Sequence, residues 1–109
     1  MVAMNDIQAV VDRIAEAYDP ERVVLFGSHA RGTATIDSDV DLLVVLTFEG
    51  KSFWKSLEIT NRVNPDFAVD LLARRPDDTQ RRYAQGDPLI REALDQGRVL
   101  YERRRARVD

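Results

Sequence analysis

The sequence predicts a small mixed α/β domain. Segments with three-and-four apolar spacing alternate with short β-branched runs, and the chain is 109 residues long, enough for one core but not for two ordinary domains. A composition of 44% hydrophobic and 32% charged residues suits a globular chain that buries a core.

Ile7, Val10, Val11, Ile14, Ala17 and Tyr18 form one apolar face, which predicts a helix over 6–18 with Asn5 or Asp6 as its N-cap. Asp19-Pro20 ends it. The run RVVLF from Arg22 is short, β-branched and bounded by Gly27, so it is predicted as a strand. Gly27-Ser28 begins a turn, HARG forms a short helical turn, and TATIDS reads as a loop. Residues 39–46, DVDLLVVL, are apolar on both alternating faces after their opening aspartates, the pattern of a central strand covered on two sides.

Glu49-Gly50 closes that strand, and Phe53, Trp54, Leu57 and Val63 predict a helix over 52–63, stopped by Asn64-Pro65. Phe53 and Trp54 are expected in the core, with a partner surface as the alternative. Residues 66–73, DFAVDLLA, read as a third strand with Asp70 in its middle. A polar helix is expected from Asp77 to Gln85. Asp87 caps a further helix with Pro88 at its first position, Leu89, Ile90, Ala93 and Leu94 on its apolar face and Gly97 at its C-terminal cap. RVLYE makes a last edge strand. These elements assign residues 1–102 to one domain and 103–109 to a basic, flexible tail.

The formal net charge of -3 and a sequence pI near 5.2 argue against free-standing nucleic-acid binding. The absence of cysteine removes disulfides, thiolate metal sites and a Cys nucleophile, and suits a reducing compartment. No apolar run approaches bilayer length, and the N-terminus lacks a basic stretch followed by an apolar one, so a cytoplasmic, membrane-free protein is expected.

The chemistry concentrates in three carboxylates and one turn. In a strand, residues two apart share a face, so Asp39 and Asp41 project together. Two carboxylates at ~4 Å repel by roughly 4 kcal/mol at an effective dielectric near 20, and a divalent cation offsets that repulsion. Oxygen ligands without His or Cys favour Mg²⁺, which completes its shell with water and phosphates and so points to a nucleotide. If the strand of Asp70 lies beside that of Asp39 and Asp41, a third carboxylate joins and two metal ions become possible. The plainer alternatives are a loop-capping pair at 39 and 41 and an edge position at 70.

Gly27 after its strand allows close approach to a phosphate, and free N–H groups together with the Ser28 hydroxyl can bind its oxygens. Arg31 can reach a triphosphate with its planar fork, or else pair with a surface carboxylate. His29, the single histidine, is expected to be exposed and without a catalytic role.

Gly27-Ser28, then Asp39-Val40-Asp41, then Asp70 on a later strand resemble the signature of the nucleotidyltransferase fold of the DNA polymerase β superfamily. LFGSHARG and SDVDLLV resemble its minimal nucleotidyltransferase (MNT) branch almost residue for residue, and GDPLIREALDQGRVLYE is similar to that branch as well. The resemblance implies that Asp39, Asp41 and Asp70 ligate two Mg²⁺, that Gly27 and Ser28 hold the phosphates of ATP or another NTP, and that Asp70 helps activate an attacking hydroxyl. It further implies an MntA-like antitoxin of HEPN/MNT toxin–antitoxin pairs, transferring AMP to a tyrosine of a helical HEPN ribonuclease toxin in a hetero-oligomer. A subunit of a small-molecule nucleotidyltransferase of the aminoglycoside type, or an antitoxin acting by contact alone, are the alternatives.

Overall fold

A computed structural model describes residues 1–104. Its elements run α1 (Met4–Tyr18), β1 (Arg22–Phe26), α2 (Ser28–Arg31), β2 (Val40–Val45), α3 (Ser52–Val63), β3 (Val69–Arg74), α4 (Pro76–Ala84), α5 (Pro88–Gln96) and β4 (Arg98–Glu102). The four strands form one mixed sheet in the order β3-β2-β1-β4, with β2 antiparallel to β1, β1 antiparallel to β4, and β2 parallel to β3. α3 makes the crossover that a parallel pair requires.

The expected central strand is β2, and both of its faces are covered. Val40, Leu42 and Val44 pack with α1 and α3 through Ile7, Ile14, Ile59 and Val63, while Leu43 and Val45 pack with Ile90 and Ala93 of α5. Because side chains alternate along a strand, Asp41 falls on the α5 face with Leu43 and Val45. β4 is an edge strand as predicted, and β3 is the other edge.

Several boundaries and faces differ from expectation. Neither Asn5 nor Asp6 caps α1. Ala3 holds the cap position without a side-chain bond, its carbonyl accepts from the Asp6 and Ile7 N–H groups, and Asp6 lies inside the first turn, where its charge suits the helix dipole. β3 starts at Val69 rather than residue 66, because Asn64 adopts a left-handed turn before Pro65 and Phe67 folds against the core. Asp70 is therefore the second residue of β3, not its middle.

The apolar face of α3 is also rotated from the expected one. Ile59 and Val63 are buried, whereas Phe53 is 66% and Trp54 63% exposed, their rings meeting edge to face at 4.9 Å. Ser56 causes this by facing the sheet edge: its hydroxyl donates to the Ser52 carbonyl and accepts the Ala73 N–H of β3 at 2.9 Å. A polar contact to β3 thus takes the place that the aromatic pair was expected to fill.

Asp87 caps α5 as predicted, accepting from the Leu89 and Ile90 N–H groups at 3.0 and 3.2 Å. Gly97 ends that helix, but for a different reason from the one expected. Its backbone is extended rather than left-handed, and a Cβ there would lie 2.2 Å from the Ala93 carbonyl oxygen and 2.6 Å from Val24 Cγ1. Close packing of α5 on β1 excludes a side chain at this position.

The tail residues 105–109 lie outside the described residues. Among the described residues, no helix is long and apolar enough to cross a membrane.

Candidate active site

The antiparallel pairing of β1 with β2 places Phe26, the residue before Gly27, opposite Asp41. The parallel pairing of β2 with β3 then places Asp70 directly opposite Asp41 on its other side. Opposed residues in a ladder share a face, so Asp70 joins Asp41 on the α5 side. Asp39 stands one residue before β2 instead of opening it, and is exposed. The Gly-Ser turn, the aspartate pair and Asp70 therefore gather at one end of three adjacent strands. Asp70 is exposed on an edge strand, as its plainer alternative had it, yet it still lies beside Asp41.

Gly27 is fitted to this end by sterics. Its φ is 73°, a region that side chains disfavour, and a Cβ there would come within 2.1 Å of Asp41 Oδ2. The chain can leave β1 next to the carboxylate only without a side chain. Ser28 then opens α2, in which Ala30 and Arg31 N–H donate to the Gly27 carbonyl. The Ser28 and His29 N–H groups and the Ser28 hydroxyl carry no hydrogen bond within the described protein, which leaves them for an anion.

Electrostatics mark Asp41 as the centre. Its carboxyl is raised above the ordinary value, first by burial and then by the charges of Asp70, Asp39 and Glu92, with His29 acting weakly in the opposite sense. Three carboxylates thus act on that of Asp41, and of these Glu92 is paired with the Arg31 guanidinium. An all-oxygen donor set under mutual repulsion fits a hard divalent ion such as Mg²⁺. Among the described residues, no three acidic or histidine side chains are already arranged as a metal cage. The fit therefore rests on charge and donor type, not on a preformed geometry.

Glu92 was not foreseen as a site residue. One of its oxygens, Oε2, accepts both the Gly27 N–H at 3.1 Å and Arg31 Nη1 at 2.9 Å. Arg31 is thus brought to the site but paired with a carboxylate, the second of its two expected fates, with the side chains 46% and 38% exposed. The only sequence signal for Glu92 was its place in the late stretch similar to the minimal branch.

His29 departs from expectation too. It is half-buried, and its Nδ1 lies 3.1 Å from the Asp39 carbonyl oxygen. A carbonyl can only accept, so Nδ1 carries the proton, and the buried Nε2 has no partner among the described residues. The imidazole thus braces the backbone of Asp39 against α2. A separate cavity of about 360 Å³ involves Arg22, Val45, Thr79 and Tyr83 at the opposite end of β1 and β2, and shares no residue with the acidic cluster.

No curated protein matches the chain. Among solved structures, a protein of Sulfolobus solfataricus described as a candidate nucleotidyltransferase superposes with a TM-score of 0.64 at 22% identity, covering 91% of this chain and 79% of its own. A toxin–antitoxin complex with AMP-PNP matches with a TM-score of 0.57 at 20% identity, over 87% and 73% of the two chains. A complex of tri-AMPylated Shewanella oneidensis HEPN toxin with MNT antitoxin matches with a TM-score of 0.51 at 18% identity, over 91% and 73%. At these identities the likeness concerns the fold. The model of the nucleotidyltransferase domain matches residues 7–101, from the first buried residue of α1 into β4, and the chain belongs to that family.

Proposed function

We propose that this chain is an Mg²⁺-dependent nucleotidyltransferase that moves AMP from ATP to a tyrosine hydroxyl of a HEPN-type toxin and acts as its antitoxin. The observation that carries this reading is the alignment of Asp41 with Asp70 next to the Gly27-Ser28 turn. Two structural neighbours support the nucleotide and the acceptor, one a toxin–antitoxin complex with AMP-PNP and one holding a tri-AMPylated HEPN toxin with its MNT antitoxin.

Asp39, Asp41 and Asp70 would hold the metal, which when bound supplies positive charge against the triphosphate and the leaving pyrophosphate. Ser28, through its hydroxyl and N–H, and Arg31 orient the phosphate chain. The acceptor oxygen attacks the α-phosphorus, a new P–O bond forms, and the bond to pyrophosphate breaks in line with it. The exposed Asp70, at the open edge of the sheet, is placed to take the hydroxyl proton. Its exposure suits an acceptor that arrives on another chain. The exposed Phe53, Trp54 and Leu57 on α3 supply an apolar surface for that partner.

The test is transfer of label from α-labelled ATP with Mg²⁺ to the product of the neighbouring gene, with Asp39→Asn/Asp41→Asn as control. Label on the partner, lost in the double variant, is the expected outcome. Full transfer by the double variant overturns the metal assignment. Nucleotide binding without label on the partner redirects the search to small-molecule hydroxyls, and neither binding nor transfer favours an antitoxin acting by contact alone.

A further inference from the structure

Glu92 lies on α5 and reaches the turn between β1 and α2, far from it in sequence. A single oxygen of its carboxylate takes two donors, the Gly27 N–H and Arg31 Nη1. That is the pair of donors a phosphate oxygen would use at this turn, a backbone N–H next to a guanidinium. The Gly27 N–H has one proton, so a phosphate oxygen and Glu92 cannot both hold it in full.

Charge points the same way. Glu92 adds to the field of Asp39 and Asp70 on Asp41. A polyphosphate entering beside it meets a fourth negative side chain that is already bound to Arg31. The backbone of α5 is fixed by the Asp87 cap and by burial of Ile90 and Ala93, whereas the Glu92 side chain is 38% exposed and can swing into solvent without moving the helix.

We propose that Glu92 is the resident anion of the nucleotide subsite, holding Gly27 and Arg31 in the empty enzyme and evicted by the incoming phosphate. The proposal rests on the reading of Gly27, Ser28 and Arg31 as phosphate contacts. It makes Glu92 a positioning residue in the free protein and a determinant of nucleotide affinity. While bound to Glu92, Arg31 is prepaid in orientation but neutralised in charge. Eviction frees both at the moment substrate arrives.

The test combines calorimetry of MgATP binding with the amide resonance of Gly27 in ¹⁵N-labelled full-length protein, for wild type, Glu92→Gln and Glu92→Ala. Glu92→Gln keeps an oxygen that can accept from both donors and removes the charge. Glu92→Ala removes the contact as well, and melting curves verify that both variants fold. The expected result is MgATP binding at least ~3-fold tighter in both variants. The Gly27 resonances should differ between wild type and Glu92→Ala when free, and converge when saturated with MgATP, because Glu92 no longer touches Gly27 in either.

Equal or weaker binding in both variants, or a Gly27 difference that persists in the bound state, overturns the proposal and makes Glu92 a fixed support of the turn. Absence of MgATP binding by wild type, with the fold intact, overturns the nucleotide reading beneath it.

Discussion

Asp41 and Asp70 occupy the same register position on adjacent parallel strands. Two carboxylates held side by side by a sheet ladder repel throughout the life of the fold, since neither strand can slip without moving its whole apolar face. The site is therefore built against local stability.

This relationship predicts that Asp41→Asn stabilises the metal-free protein while removing activity. The folded-state carboxyl is raised above the ordinary 3.8, so native stability falls as pH climbs past that value, and the full loss is present above the raised value. At neutral pH the variant should melt a few degrees higher than wild type, and near pH ~3, where Asp41 of the wild type is mostly protonated in the folded and the unfolded chain alike, the difference should vanish. Transfer should drop at least ~100-fold. Calorimetric melting across pH, beside the labelled-ATP assay, checks both parts.

Gly27→Ala should be costly on two counts. A left-handed φ of 73° and a Cβ placed 2.1 Å from Asp41 Oδ2 demand that the turn or the carboxylate move. A loss of ~2 kcal/mol in urea unfolding is expected, together with loss of transfer. Gly27→Ala in an Asp41→Ala background should recover part of the stability but none of the activity.

Asp78 on α4 behaves in the opposite sense from Asp41. Burial acts to raise its carboxyl, but the hydrogen bond and charge of Arg82, with the charges of Arg81 and Arg74, outweigh burial and hold it below the ordinary 3.8. Its contribution is thus present above that value and lost as pH falls through the lower folded value. Asp78→Asn should cost ~1–3 kcal/mol at neutral pH and flatten the acid limb of stability against pH. Urea midpoints measured from pH ~2 to ~6 decide this.

Phe53→Ser with Trp54→Ser removes two exposed rings, so the stability change should stay within ~0.5 kcal/mol. Loss of partner binding in pull-down or calorimetry, with MgATP binding unchanged, would place the partner on α3. Unchanged partner affinity would exclude that face.

MgATP should raise the melting temperature of wild type, because a ligand that binds only the folded state adds ~2.7 kcal/mol at a concentration 100 times its Kd. Neither ATP with chelator nor Mg²⁺ alone should match that shift. An equal shift with chelator present would argue against a metal-dependent nucleotide site.

Much of this molecule was legible from one dimension. The period of α1, the double-sided apolar run of β2 and the Asp87-Pro88 start of α5 are local signals, and local physics was enough to place them. Gly27-Ser28, Asp39 and Asp41 were legible for the same reason, since a short span links them. Local signals give way where a neighbour distant in sequence overrules a local preference. Ser56 took the sheet edge from Phe53 and Trp54, Phe67 left the strand for the core, and packing against Val24, not backbone conformation, required Gly97.

The sequence by itself determined the order of the elements and the identity of the acidic residues, because helix period, strand alternation and turn chemistry act over a few neighbours. Only the tertiary structure decided that Asp70 stands level with Asp41, that His29 braces Asp39, and that Glu92 holds both Gly27 and Arg31. Those facts follow from strand register and from the seating of α5 on β1, which depend on how apolar faces distant in sequence fill one core.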